Sequence, residues 1–386
     1  MTSLNPHWYA AWWSAIVEPG DPHAAALRHA LGDEAAHAWA TAASPGPLPT
    51  ILTGEDGQRK KSWDEAWARW KPRIDTARPE EDLALLDSMG GHLLTPSSSQ
   101  WPESLSDLGA EEPIALWVLG SIPIQHSVAI VGARASSHYG NRYGMDIAAE
   151  LTGHGWNIVS GGAFGIDAAA HRGALAGMSE GSGATTAVMA GGVGKLYPAA
   201  HEELFAQIID LGGAVLSEVP PNWRPARWRF LGRNRVIAAL SRATIVIEAG
   251  RRSGALATAR RALDLGRHVG ALPGPVGVES SSGCHELIRN GATLIRHAQD
   301  IIEMLTPLNA TLNDKLFGEP AVSDTGVDAL PPDQRRVWEA LPKRSGTSLP
   351  RLARASGMSE RDTLVALAGL ELSGMVRAHA AGWARA

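Results

Sequence analysis

The sequence predicts an α/β protein: a parallel sheet covered by helices on both faces, with a small helical domain before it and a winged-helix domain after it. Three observations lead there. From about Ser127, short apolar runs of strand length alternate with helical stretches, the grammar of a parallel sheet. Before residue 85 the chain is rich in Ala and Trp, with apolar positions at helical spacing in Pro22 to Ala43 and Ser62 to Lys71. After residue 331, three short helical stretches precede a tail able to form a small hairpin. The composition suits such a chain: 386 residues, 44% hydrophobic and 19% charged, enough to bury a core and unlike a disordered polymer.

The elements follow in order. Trp8, Trp12, Trp13, Trp39, Trp63, Trp67 and Trp70 are expected to form the core of the helical domain, with base stacking as the alternative use of such rings. Gly90 to Leu119 reads as a connector with a strand or two. The candidate strands are Val128-Ala-Ile-Val-Gly132, Asn157–Ser160, Thr185–Ala190, Ala214–Ser217, Ala243–Glu248 and His268–Leu272, with a helix from about Tyr143 to His154. Residues 307–330 lose periodicity and read as a linker. Pro331 to Leu341, Ser348 to Ala355 and Ser359 to Leu372 are the three helices, the last with Ser359 as N-cap. The expected domains are therefore 1–85, 86–306 and 331–386, joined by that linker.

The net charge of -5 argues against nucleic acid only on average, because the charge is segregated. Between Pro221 and Arg267 stand eleven arginines and two acids, Glu248 and Asp264. Guanidinium groups donate paired hydrogen bonds to phosphate, and a basic cluster on an acidic protein focuses attraction onto one surface. The alternative is a solvated helix face with its own acidic partners, which are scarce nearby in sequence. No apolar run approaches the roughly 18 residues of a membrane helix, and no secretory signal is visible at the N-terminus. The single cysteine, Cys284, fits a reducing cytoplasm.

Ligands of parallel sheets bind beyond the carboxyl ends of the strands, so the loops there should carry function. After the first strand come Gly132, Arg134 and Ser136, a glycine turn with a cation and a hydroxyl before a helix, which makes an anion site. After the second comes Ser160-Gly-Gly-Ala-Phe-Gly165-Ile-Asp167, again strand, glycine turn and helix. Gly191-Gly-Val-Gly194-Lys195 and Gly250-Arg-Arg-Ser253-Gly254 follow later strands, and Phe230-Leu-Gly-Arg233-Asn234-Arg235 is expected just ahead of a helix. None is a dinucleotide or nucleotide-triphosphate fingerprint. Together they suggest an extended polyanion.

These stretches closely resemble the bacterial DNA-processing protein A family (DprA, also called Smf). The resemblance rests on Val131-Gly-Ala-Arg134 with Tyr139-Gly140, Ser160 through Asp167 with His171, Arg233-Asn-Arg235, and Glu248 through Ala259. Pro273-Gly274 and Leu287 to Ala292 continue it, so that about residues 100 to 305 are covered strongly. It implies an extended Rossmann-like DNA-binding domain over 86–306 and a winged-helix domain over 331–386. The function implied is a single-stranded DNA-binding protein that protects incoming DNA, dimerises, and loads the RecA recombinase during natural transformation or recombination.

On that resemblance Arg134, Arg233 and Arg235 neutralise phosphates, and Gly132, Gly161, Gly162, Gly165 and Gly254 let backbone approach the strand. Ser160, Ser253 and Asn234 add hydrogen bonds, and Tyr139 or Phe164 stacks on a base. Ser136, Gly140 and Thr258 complete the candidate set. The family commonly has a basic residue where Ala199 stands, and Lys195 is the candidate replacement; Ala133, His201 and His285 are further departures.

No catalysis is expected. Asp167 and His171 read as a cap and a packing residue, Cys284 and His285 as structural, and Glu248 as a partner for an arginine; neither cofactor nor metal is called for. The rival from another class is a nucleotide-processing enzyme of the phosphoribohydrolase type, faintly echoed in Gly191-Gly-Val-Gly194. A further alternative makes the winged helix the main DNA reader through Arg361 and Arg377.

Overall fold

The computed structural model describes residues 6–53, 57–123, 126–179, 183–306, 330–342, 346–379 and 382–385. The chain divides into two compact units, Met1–Pro307 and Leu308–Ala386.

The first unit opens with helices α1 (Pro6–Ile16), α2 (Pro22–Leu31), α3 (Asp33–Thr41), α4 (Thr50–Thr53), α5 (Gly57–Ile74) and α6 (Pro79–Ser88). Trp12, Trp13, Trp39, Trp63 and Trp70 are buried together, with Trp8 and Trp67 half-buried against them, so the tryptophans are core residues. Their rings meet edge to face, as Trp13 and Trp70 do at 5.5 Å, the arrangement favoured by the aromatic quadrupole. Asp21 starts α2: its Oδ1 accepts from the His23 and Ala24 amides at 2.9 and 3.2 Å, and its Oδ2 accepts the Trp70 indole N–H at 3.0 Å. One carboxylate thus caps one helix and anchors another.

Strands β1 (His92–Leu94), β2 (Leu116–Gly120), β3 (Ser127–Val131), β4 (Asn157–Ser160), β5 (Thr185–Val188), β6 (Ala214–Ser217), β7 (Ala243–Val246), β8 (His268–Ala271) and β9 (Thr293–Leu294) form one sheet in the order β1-β2-β6-β5-β4-β3-β7-β8-β9. All pairings from β6 to β9 are parallel. The segment read as a connector supplies β1 and β2, which extend the sheet antiparallel, with Trp117 opposite Ser217. Trp117 also donates its indole N–H to Ser14 Oγ at 3.2 Å, tying the sheet to α1. Several strands end earlier than their apolar runs: Met189, Ala190, Ile247 and Leu272 stay buried but lie past the ladder, where the chain turns at the rim.

The intervening helices are α7 (His138–Gly153), α8 (Ile166–Ala176), α9 (Glu202–Asp210), α10 (Arg227–Ala239), α11 (Gly254–Asp264), α12 (Glu279–Arg289) and α13 (Ala298–Leu305). Both sheet faces are covered, because side chains alternate along a strand. Val128 and Ile130 join a core with α7, α8 and α13, while Ala129 and Val131 join another with α10, α11 and α12. Helix α7 begins at His138 rather than near Tyr143, because Ser137 Oγ accepts the Gly140 amide at 3.0 Å and caps it.

One correction bears on function. Phe230 to Arg235 does not precede a helix but lies within α10. The chain is still extended at Ala226, so the helix starts at Arg227, and Gly232 is accommodated inside it with open space beside its α-carbon.

The second unit holds α14 (Pro332–Ala340), α15 (Leu349–Ser356), α16 (Glu360–Leu372) and the antiparallel hairpin β10 (Val376–His379) and β11 (Gly382–Arg385). Ser359 caps α16, accepting the Asp362 amide at 3.1 Å. Val337, Leu352, Leu367, Leu370 and Val376 form its core. Of the linker expected at 307–330, residues 307–329 lie outside the described residues.

Candidate nucleic-acid interface

The strand order places β4 on one side of β3 and β7 on the other, so the loops following β3 and β7 diverge at the carboxyl rim and open a crevice. Glu248 fixes its floor. The Glu248 carbonyl accepts the Ala133 amide at 2.7 Å, and its buried carboxylate accepts the amide and hydroxyl of Ser137 at 2.8 and 3.1 Å. Glu248 therefore serves the start of α7 rather than pairing with an arginine. Gly140 is required there, because a Cβ would fall on the Glu248 carboxylate.

A cavity of about 640 Å³ occupies the crevice. Gly132, Arg134, Ala163 and Asp167 line one side, and Arg227, Phe230, Arg233 and Asn234 of α10 another. Arg252, Ser253, Gly254 and Thr258, around the start of α11, close it. A second concavity of about 670 Å³ shares Arg134, Arg252 and Ser253 and adds Arg251 and Glu279. The Arg134 guanidinium lies over the Phe230 ring at 4.6 Å, and Phe230 meets the Tyr197 ring edge-on at 6.0 Å. Ser253 caps α11 by accepting the Ala255 amide at 3.3 Å, so the positive end of that helix faces the cavity across Gly254, which has no neighbour where a Cβ would stand.

Four of the eleven arginines are held by carboxylates. Arg229 pairs with Glu18 at 2.8 Å, Arg235 with Glu218 at 2.6 Å, Arg261 with Glu111 at 2.9 Å, and Arg267 with Asp107. These acidic partners are distant in sequence, except Glu218, which stands just before the basic segment. Arg134, Arg227, Arg251 and Arg252 are exposed at the rim, with no ion pair among the described residues. The cavity thus carries unpaired guanidinium groups beside bare backbone.

The candidate residues fare differently. Gly132, Arg134, Arg233, Asn234, Ser253, Gly254 and Thr258 come together around the cavity. Arg235 is a correction: it is 2% exposed, chelates Glu218 through both Nη atoms at 2.6 Å, and donates Nε to the Glu111 carbonyl at 3.0 Å. Buried and tied to these acceptors, it is out of reach of a phosphate. Ser160 is another, since its buried hydroxyl donates to the Ile130 carbonyl at 2.6 Å. Arg233 forms the cavity's floor rather than a free arm: its buried Nη1 donates to the Gly161 and Val188 carbonyls. Burial pushes the Arg233 guanidinium down to about 10, against the pull of Asp167; burial likewise raises Asp167, opposed by Arg233 and the Ala163 amide. Asn234 and Thr258 are buried too, with Asn234 Nδ2 donating to the Gly254 carbonyl at 3.4 Å.

The others lie off the cavity. Ser136 donates to Asn141 Oδ1 at 2.7 Å, and Tyr139 donates to the Pro273 carbonyl at 2.7 Å with its ring against Tyr143. Gly161 and Gly162 are packing glycines, against Arg233 with Asp167 and against the Phe205 ring. Phe164 is exposed at the rim, edge-on to His201 at 4.8 Å, and Lys195 is exposed on the loop after β5. Gly165 has φ +78° and faces the Ala133 and Arg134 carbonyls, so Gly165→Ala both strains the backbone and displaces the Arg134 loop. A loss of about 1–3 kcal/mol in chemical denaturation is expected, with weaker DNA binding in the folded fraction.

Sequence reasoning missed Arg227, Phe230, Arg251 and Arg252 as site residues, although all stand within the basic segment it singled out. The missing signal is the helix start at Arg227, which turns the first two turns of α10 into a cavity wall. His171 is buried, with Nδ1 at 2.7 Å from Thr185 Oγ1, and burial holds its pKa down to about 3. Cys284 is buried as well, and burial lifts its thiol to about 11. Gly191 and Gly192 pack against the backbone of Pro220 to Pro225 and line neither concavity. Among the described residues, no group of three His, Cys, Asp or Glu is placed to hold a metal ion, and no helix is long and apolar enough to cross a membrane.

Fold and crevice together define a Rossmann-like α/β protein with an appended winged helix, its switch point an arginine-rimmed crevice. Residues 92–306 match the model of the family described as DNA recombination-mediator protein A, and residues 322–382 match the DprA winged helix domain. The chain is 38% identical over 97% of its length to a DNA processing protein DprA of Mycobacterium tuberculosis, covering 92% of that protein. It is 35% identical over 79% of its length to protein Smf of Escherichia coli, covering 80% of that protein. The crystal structure of DNA processing protein A from Streptococcus pneumoniae superposes with a TM-score of 0.60 at 28% identity, over 79% of this chain and 99% of that one. The chain belongs to the DprA/Smf family, a family of DNA processing and recombination.

Proposed function

We propose that the chain binds single-stranded DNA along the carboxyl rim of its sheet and, in the cytoplasm, protects that strand and loads RecA onto it, without chemistry on the DNA. The observation that carries this reading is the crevice between β3 and β7, where Arg134, Arg227, Arg251 and Arg252 stand exposed and unpaired beside Gly254 and the start of α11. Phosphates engage the guanidinium groups and the helix amides, and the Phe230 and Tyr197 rings offer faces for bases. Membership of a recombination-mediator family supports RecA as the partner. A homodimer would set two such crevices on one strand and raise avidity.

Phosphate contacts carry no base information, so binding should be nearly independent of sequence and steeply weakened by salt. Anisotropy of a labelled oligo-dT, titrated at several salt concentrations, is expected to give a log–log slope of about -2 to -3 if three or four phosphates are contacted. A flat response, or equal affinity for duplex of the same length, overturns the reading.

A further inference from the structure

We infer that the outward face of α10 carries a further station for the strand, outside the crevice, with the Trp228 ring as the platform for a base and Arg224 as the cation for a phosphate beside it. This rests on the reading of the crevice as a single-stranded DNA site and carries that path past its mouth. Trp228 and Leu231 are 61% and 60% exposed and stand three residues apart, so they are neighbours on one face of the helix. Arg227, Phe230 and Leu231 line the cavity, which makes the face bearing Trp228 continuous with the crevice wall. The nearby Trp223 is used differently. It is half-buried, with the Arg229 guanidinium over its ring at 4.4 Å and that of Arg73 at 5.0 Å. Trp228 meets only Arg229, at 5.7 Å, and its ring stays open. Arg229 Nη1 also donates to the Arg224 carbonyl at 2.8 Å, which fixes the approach to the helix and with it the spacing of Arg224 from Trp228.

Charge and continuity choose the occupant. Arg224 and Arg227 are both exposed and make no ion pair among the described residues. Between Glu218 and Glu248 the chain holds no acidic residue, and Glu18, which folding brings to Arg229, is shared between Arg229 and Arg73. A flat ring set between unpaired guanidinium groups suits a polymer that alternates phosphates with planar bases. An apolar partner would cover Trp228 and Leu231 only by stripping water from two uncompensated cations. Duplex is a poor occupant as well, because its bases are stacked on one another and offer no free face along the helix.

Strand length separates this station from the crevice. An oligo-dT of about five nucleotides carries the phosphates assigned to the crevice, and one of about twenty reaches past it. Binding of both to the full-length protein at low salt is compared for wild type, Trp228→Ala, Trp228→Phe and Arg224→Gln, with circular dichroism as the check on folding. Trp228→Ala is expected to weaken the long strand by about fivefold and to leave the short one within about twofold of wild type, while Trp228→Phe, which keeps a ring, recovers most of the loss. Arg224→Gln should lower the salt slope for the long strand by about one and leave that of the short strand unchanged. If the wild type binds both strands and Trp228→Ala binds both as well as wild type, the station falls and the crevice stands. Equal weakening of short and long strands also overturns it, since Trp228 would then act by shaping the crevice. A wild type that binds neither strand overturns the crevice reading itself, and this inference with it.

Discussion

Arg134→Glu is expected to weaken single-stranded DNA binding by about tenfold or more, the largest functional effect of any single substitution in this chain. Arg134 is one of two arginines common to both concavities, and Phe230 beneath it holds the guanidinium at the mouth without occupying its donors. Reversal removes one phosphate contact, worth about 1–3 kcal/mol, and adds a repulsion in its place; the salt slope should fall by about one. Arg252→Glu, at the second shared arginine, should behave alike. Arg242→Glu is the control: Arg242 is also exposed but immediately precedes β7, at the amino end of the strands. It alters net charge by the same amount, and its affinity should stay within about twofold of wild type. If Arg242→Glu and Arg134→Glu weaken binding equally, the attraction is a diffuse property of the molecule and not a property of the crevice.

Glu218→Ala is expected to be the most destabilising of the polar substitutions, by about 3–5 kcal/mol. Both Glu218 oxygens are held by Arg235 at 2.6 Å, and removing them strands a guanidinium that is 2% exposed. The Arg235 pKa records this balance: burial alone would lower it, and the charge and hydrogen bonds of Glu218 more than offset that. Replacing both partners, Arg235→Met with Glu218→Leu, should recover most of the loss, since the desolvation penalty disappears together with the attraction. Urea denaturation of the single and paired variants measures the difference. A paired variant no more stable than Glu218→Ala would mean that the Arg235 hydrogen bond to the Glu111 carbonyl, not the ion pair, carries the stability.

The architecture was legible because strand-length apolar runs and glycine turns are local signals. Asn157–Ser160 and Ala214–Ser217 were read to the residue, and the Ser359 cap was identified from its position alone. A strand or two was expected between Gly90 and Leu119, but their antiparallel place at the edge of the sheet was not legible, since β2 pairs with β6 nearly a hundred residues downstream. The arginine cluster shows the same limit more sharply. Sequence counts eleven cations against two neighbouring acids, but Glu18, Asp107 and Glu111 reach the cluster only once the chain has folded. Arg233-Asn234-Arg235 carries part of the resemblance, but Arg233 and Asn234 turn out to line the cavity as buried groups and Arg235 is spent on Glu218, while the exposed charge at the crevice falls to Arg134, Arg227, Arg251 and Arg252. Recurrence of a residue in a motif says that its place matters. It does not say which way the side chain faces.

The turn between α1 and α2 has a consequence for how this molecule can be dissected. Glu18 there takes Arg229 through Nε at 2.8 Å and Nη2 at 3.0 Å, together with Arg73 at 2.5 Å, and Gly20 packs on the Arg235 guanidinium. The back of α10 is thus fastened by the tryptophan-rich bundle. Trimming that bundle to obtain a minimal fragment would unmoor the helix whose front wall holds Arg227 and Phe230, so a shortened protein that fails to grip DNA would testify to lost scaffolding rather than lost contacts.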